Sequence, residues 1–254
     1  TMSGLAHKHG AINLSQGFPG FSISEALISL VNKYMLQGKN QYAPMAGVQE
    51  LREEISALQR DFYAANYNPD SEITITAGAT QGIYTTISAL VHPGDEVIMF
   101  SPAYDCYSTA VEVNGGKSVF VELNSQDYAI PWEEVKQAIS EKTRMILVNS
   151  PHNPTGAVWT AKDLEKLEEL VAGTGIIVLS DEVYAHIIYD EVKHLSVASS
   201  TTLRDQSVIV HSFEKTFHAT GWKMGYVLAP EHLMQEFRKV HQYLVFSVNT
   251  PVQY

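Results

Sequence analysis

Apolar positions along the chain recur with two periods. Between residues 47 and 64, Leu51, Ile55, Leu58 and Phe62 return every three or four residues, which predicts an amphipathic helix with those side chains on its buried face. Similar spacing of Ile83, Ile87 and Leu90, of Leu164, Leu167 and Leu170, and of Leu233, Phe237, Val240 and Leu244 predicts three more helices. Another helix is expected over 24–36. Between them lie short, continuous apolar and β-prone runs at 73–76, 96–100, 118–121, 145–148, 176–179, 208–210 and 226–228. Seven continuous apolar strands separated by amphipathic helices predict an α/β fold: a three-layer sandwich around a mainly parallel seven-stranded sheet, covered on both faces.

In such a sheet, ligands sit beyond the carboxyl ends of the strands. Polar motifs follow five of the seven runs. Gly78-Ala79-Thr80-Gln81 follows the first, and Pro102-Ala103-Tyr104 the second. The stretch 149–156, SPHNPTG preceded by Asn149, follows the fourth. Ser180-Asp181-Glu182-Val183-Tyr184 follows the fifth, and His211-Ser212-Phe213-Glu214-Lys215-Thr216 the sixth. Each is weak alone, but together they converge on one rim.

Composition narrows the classes. The 254 residues are 45% apolar, too rich in core-forming side chains for disorder. Seventeen Lys and Arg against 28 Asp and Glu give a net charge of -11, which argues against a nucleic-acid or anionic-membrane partner. The single cysteine, Cys106, permits no intrachain disulfide, and no apolar run is long enough to span a membrane. A cytoplasmic protein is the expectation. His152, His211 and His218 match no metal-ligand spacing, and no Gly-x-Ser-x-Gly elbow is present.

The rim residues suggest a chemistry. Gly78-Ala79-Thr80 can aim backbone N–H groups at a phosphate from a helix N-terminus. Asp181, at the mouth of a buried strand, can hold a proton on a heteroaromatic nitrogen. Lys215 can serve as an amine nucleophile in partly apolar, electropositive surroundings, and Lys223 can add charge near a phosphate. Asn153 can hydrogen-bond a ligand oxygen, and Tyr104 can stack on a flat ring. Ordinary alternatives stand beside each: a capping turn at Thr80, a structurally paired Asp181, a surface Lys215, an Asx turn at Asn153, core packing of Tyr104. Taken together, a phosphate cup, a stacking ring, a carboxylate for a ring nitrogen, oxygen donors and a reactive lysine meet the demands of pyridoxal phosphate.

The stretches NLSQGFPGF, NQYAPMAGVQELREE, TAGATQ, NSPHNPTGAVW, SDEVYAHI, HSFEKTFHATGWKMGYVLAP and RKVHQYLVFSVNTP are similar to those of class I aminotransferases, fold-type I pyridoxal-phosphate enzymes. The nearest branch by resemblance is that of kynurenine, glutamine and methionine aminotransferases. The resemblance implies that Lys215 is the Schiff-base lysine and Asp181 the carboxylate under the pyridine nitrogen. It implies that Tyr184 and Asn153 hydrogen-bond the phenolic oxygen, that Tyr104 stacks on the ring, and that Ala79, Thr80, Ser212 and Lys223 form the phosphate cup. Tyr42 resembles a tyrosine that reaches the partner subunit's phosphate, which implies a homodimer with shared sites. Gly17 and Asn153 would line the substrate side, and the apolar Gly17-Phe18-Pro19 loop favours a large apolar or sulfur-containing substrate. The expected reaction transfers an amino group from such an L-amino acid to a 2-oxo acid.

Two departures from the family stand out. Glu214 replaces the usual Gly or Ser before the lysine; facing inward it would add negative charge beside the cofactor, facing outward it would be harmless. The family also continues well beyond residue 254, into a small domain carrying the arginine that clamps the substrate carboxylate. The expected division is therefore 1–45 as amino-terminal arm and part of a small domain, 46–229 as cofactor-binding large domain, and 230–254 as a helix leading toward the rest. A cysteine-S-conjugate β-lyase using the same lysine, and a catalytically incomplete cofactor-binding protein, remain the alternatives.

Overall fold

The computed structural model describes residues 2–15, 17 and 20–254. Seven strands form one sheet: β1 (Ile73–Thr76), β2 (Glu96–Ser101), β3 (Lys117–Glu122), β4 (Thr143–Asn149), β5 (Ile177–Asp181), β6 (Ser207–Ser212) and β7 (Gly225–Leu228). Their order across the sheet is β1-β7-β6-β5-β4-β2-β3. Only β7 runs antiparallel to its neighbours, so the expected mainly parallel sheet of seven strands is what the chain builds.

Helices cover both faces. They are α1 (Met2–His9), α2 (Glu25–Leu36), α3 (Gln49–Tyr63), α4 (Ala79–Leu90), α5 (Cys106–Val113), α6 (Trp132–Ala138), α7 (Ala161–Val171), α8 (Thr201–Arg204), α9 (Phe213–Thr216), α10 (Glu231–Leu244) and α11 (Thr250–Gln253). The period of two along each strand divides the core. Ile146 and Val148 of β4 face one layer with Ile55 of α3 and Leu167 of α7. Met145 and Leu147 face the other with Ile83 and Ile87 of α4 and Phe237 of α10. This double burial explains why the strands read as unbroken apolar runs rather than alternating ones.

Three expectations are corrected in detail. Asn149, Asp181 and Ser212 do not follow their strands but end them: Asn149 is in register with Asp181, and Ser212 with Gly225. The ladder carries backbone hydrogen bonds past the last apolar side chain, so hydropathy stops one or more residues short. On α3, the buried face is Arg52, Ile55, Gln59 and Tyr63, whereas Phe62 is 65% exposed. The Tyr63 hydroxyl meets His194 Nδ1 at 2.8 Å and Arg52 donates to the Gly47 carbonyl, so polar anchoring rotates the helix away from the purely apolar stripe. The short helices α5 and α6 and the amino-terminal α1 are found in addition to those the periodicity indicated. The Phe18-Pro19 part of the proposed substrate loop lies outside the described residues.

Candidate functional site

The carboxyl ends of β4, β5 and β6 open into a cavity of about 590 Å³. Ten of the expected site residues line it: Gly17, Ala79, Thr80, Tyr104, Asn153, Asp181, Tyr184, Ser212, Lys215 and Lys223. Tyr42 is not brought in. It is 81% exposed, with its ring packed edge-on against Phe246 at 5.3 Å.

Asp181 forms the floor. It is 5% exposed, and its partners are a phenol and a backbone amide. Tyr107 Oη donates to Oδ2 at 2.6 Å, and Val183 N donates to Oδ1 at 3.1 Å. Burial pushes the carboxyl up from the ordinary 3.8 to about 6, against the lowering effect of these two hydrogen bonds. Both donors to its carboxylate are thus neutral groups. The adjacent carboxylate, Glu182, turns away into the core. It accepts from Ser180 Oγ at 3.0 Å and from Val197 N at 3.1 Å, and His194 and His211 lie 3.6 and 3.8 Å from its Oε2. Burial lowers His211 to about 3, leaving a neutral ring stacked on Tyr226 at 4.9 Å.

Asn153 is held by the strand end beneath it. The Asn149 side chain accepts from Asn153 N at 2.7 Å and donates to the Asp181 carbonyl at 2.9 Å, tying two rim residues through one carboxamide. Tyr104 stands edge-on to Tyr107 at 5.7 Å, leaving its own ring partly open to the cavity. Lys215 belongs to the short helix α9, whose cap is Ser212: the hydroxyl accepts from Glu214 N at 3.0 Å. Its Nζ lies 6.0 Å from the centre of the Tyr184 ring.

Another part of the lining is the N-terminus of α4, beside Glu214 and Lys223. Gly78 caps it at φ 82 and ψ 167, a conformation essentially restricted to glycine. Gly225 allows close approach there, since a Cβ would meet the His211 carbonyl at 2.7 Å and Ala79 N at 3.0 Å. The first-turn amides of a helix have no intrahelical acceptor, so this end can receive an anion. Glu214 faces inward. Its carboxylate pairs with Lys223 Nζ at 2.8 Å.

Tyr107, Asn149 and the inward aim of Glu214 were not identified from sequence as parts of the site. Asn149 had a signal, since it begins the NSPHNPTG stretch. Tyr107 had none beyond its place after β2, because its direction is set by how α5 packs on the sheet.

Known proteins resemble the chain along nearly its whole length. The chain is 48% identical over 252 residues to methionine aminotransferase of Escherichia coli (strain K12), covering 99% of itself and 65% of that protein. It is 34% identical over 260 residues to kynurenine–oxoglutarate transaminase 3 of Rattus norvegicus, covering 98% of itself and 57% of that protein. The solved structure of the Escherichia coli methionine aminotransferase superposes with a TM-score of 0.96 over 99% of this chain and 67% of that one. That of N-succinyldiaminopimelate aminotransferase from Mycobacterium tuberculosis, 35% identical, superposes with a TM-score of 0.95 over 99% of this chain and 66% of that one. The chain thus spans about two thirds or less of the length of these relatives. The family model for aminotransferase class I and II matches residues 9–254. On that match, and with a rim that assembles a buried carboxylate, a lysine and a helix N-terminus around one cavity, the chain belongs to the class I and II aminotransferases, of which enzymes of this kind use pyridoxal phosphate.

Proposed function

We propose that this chain forms the cofactor-binding part of a pyridoxal-phosphate-dependent aminotransferase acting on an apolar, aromatic or sulfur-containing L-amino acid and a 2-oxo acid. One observation carries the reading: Asp181 and Lys215, brought to the rim by the adjacent strands β5 and β6, line one cavity together with a helix N-terminus. The donor set fits the cofactor. A carboxylate raised to about 6 by burial, with only neutral donors around it, gains from a cationic partner, and a protonated ring nitrogen is one.

Asp181 would hold the proton on that nitrogen, positioned by Tyr107 and Val183 N. Tyr184 and Asn153 would bind the phenolic oxygen, and Tyr104 would stack against the ring. Ala79, Thr80, Ser212 and Lys223 would receive the phosphate. When bound, pyridoxal phosphate supplies an electron sink for the bonds at an amino acid's Cα. Lys215 Nζ would anchor the cofactor, and once released by the incoming amine it would take the Cα proton. The Asn149 bridge would keep Asn153 and the Asp181 strand end in fixed relation during that transfer.

The relatives named for methionine and kynurenine support the substrate class. Among the described residues no arginine lines the cavity, so we assign the clamp on the substrate carboxylate to a part of the complete site beyond this wall. The exposure of Tyr42 suits a residue serving a partner subunit in a homodimer. Helices α1 and α2 bury no residue of their own, which supports an arm over 1–45 beside a large domain over 46–229, whereas α10, within the proposed connecting segment 230–254, packs Leu233, Met234 and Phe237 into the large-domain core. A cytoplasmic location belongs to the same proposal.

The test is a single-turnover reaction. The chain loaded with pyridoxal phosphate is mixed with methionine, and both the visible absorbance of the cofactor and the 2-oxo acid released are followed. Loss of that absorbance with stoichiometric 2-oxo acid is expected. Lys215→Ala should slow the step by about 10²–10⁴-fold. Preference for aspartate would sink the substrate assignment, and pyruvate and ammonia released from a cysteine S-conjugate without an acceptor would favour a lyase.

A further inference from the structure

Two carboxylates line the cavity, Asp181 and Glu214. Asp181 has neutral partners, whereas Glu214 already has a cation. Its side chain is 10% exposed, and Oε1 lies 2.8 Å from Lys223 Nζ. The pair sits directly over the cap of α4. A Cβ placed on Gly78 would fall 2.6 Å from Glu214 Oε1 and 2.8 Å from Lys223 Nζ. The Ser212 hydroxyl accepts from Glu214 N at 3.0 Å, so the turn that presents Lys215 also directs Glu214 inward. A carboxylate thus stands where a twelve-residue helix begins and a lysine reaches over it, the two features an anion-binding cup requires.

A phosphate group and the Glu214 carboxylate compete for the same lysine and the same helix end. Both are anionic, and their juxtaposition in one pocket is repulsive. We infer that Glu214 is a built-in competitor for the cofactor's phosphate, so that this pocket gains little affinity from the phosphate and discriminates weakly between pyridoxal phosphate and pyridoxal. The inference rests on the cofactor-site reading above. It adds that the departure from Gly or Ser at this position changes what the cup selects.

The experiment measures dissociation constants of pyridoxal phosphate and of unphosphorylated pyridoxal by quenching of protein fluorescence. The chain is compared with Glu214→Gln, Glu214→Gly, Lys223→Gln and the Glu214→Gln/Lys223→Gln pair, each checked for folding by far-UV circular dichroism. Glu214→Gln should tighten pyridoxal phosphate about tenfold or more and leave pyridoxal within about twofold, the scale of one hydrogen bond to a charged group. Lys223→Gln should matter little beside Glu214 and about tenfold in its absence. Unchanged or weaker pyridoxal phosphate binding in Glu214→Gln, or an equal gain for pyridoxal, overturns the inference. If Glu214→Gln does not fold, Glu214→Gly decides by the same criteria. Equal binding of pyridoxal phosphate by all forms leaves the cofactor site standing and removes only the competitor. No binding by any folded form removes both.

Discussion

Changing Tyr107 to Phe deletes one hydroxyl from the floor of the cavity and leaves the ring in place. That hydroxyl donates to Asp181 Oδ2 at 2.6 Å, between residues 2% and 5% exposed. Burial and the nearby Asp181 charge push the phenol itself well above its ordinary value, so it remains a neutral donor throughout the working range. The Asp181 carboxyl, pushed up by burial to about 6, would stand higher still without this bond. A hydrogen bond to a charged group contributes about 1.5–3 kcal/mol, and about 1.4 kcal/mol corresponds to one pH unit. The substitution should therefore raise Asp181 by about one to two pH units. The sign follows from linkage. A carboxyl raised in the folded chain favours its protonated form, so its stabilising contribution is complete below its unfolded value of 3.8 and declines as pH rises to about 6. In the unsubstituted chain that decline amounts to about 3 kcal/mol. In Tyr107→Phe it should continue above pH 6, opening a further gap of about 1.5–3 kcal/mol that is complete by about pH 8. Urea unfolding of the cofactor-free chain across this range, followed by tryptophan fluorescence, measures the gap. Curves for the two proteins that remain parallel from pH 5 to about pH 8 would refute the assignment of the Tyr107 hydroxyl as the bond that holds Asp181 ionised.

Two further outcomes are expected. Gly78→Ala forces a side chain into φ 82 and ψ 167, with its Cβ 2.6 Å from Glu214 Oε1, and should lower stability by about 1–3 kcal/mol in urea denaturation; an unchanged midpoint would show that the loop re-forms without strain. Burial, with Asp181 and Asp105 nearby, pushes the Cys106 thiol up to about 12, so alkylation by iodoacetamide at about pH 8 should run about a thousandfold slower than for an unburied thiol; a rate matching the urea-unfolded chain would contradict the burial.

The sheet was legible because each strand is buried on both faces and therefore spells itself in continuous apolar residues. Its ends were not, because Asn149, Asp181 and Ser212 remain in the ladder through backbone hydrogen bonds that hydropathy does not register. The same blindness affected α3, where Arg52, Gln59 and Tyr63 are buried through polar contacts and the apolar Phe62 is left outside. For the site, residues carried on strand ends and their first turns were readable, since topology alone brings them to one rim. Tyr107 was not, because it lies on α5, whose inward face is chosen by packing against β2 and α4 rather than by spacing. Tyr42 shows the converse: its motif is present, but no fold-level rule within a single chain carries it to the cavity.

Asp181 and Glu214 make the limit of motif reading specific. Both are acidic, both are nearly inaccessible, and both follow an apolar strand by a residue or two or end it. Sequence position treats them alike, but their partners divide them. Asp181 is held by a phenol and an amide, so its charge awaits a cation, and a ligand that supplies one is drawn in. Glu214 is held by Lys223, so its charge is already met, and a ligand that needs that lysine is resisted. On the proposed reading, one cavity thus contains an acid with neutral partners that would favour the cofactor's ring and an acid paired with lysine that would oppose its phosphate. The balance between them depends on 2.6 and 2.8 Å contacts made by Tyr107 and Lys223, neither of which the carboxylates' own positions in the chain could announce.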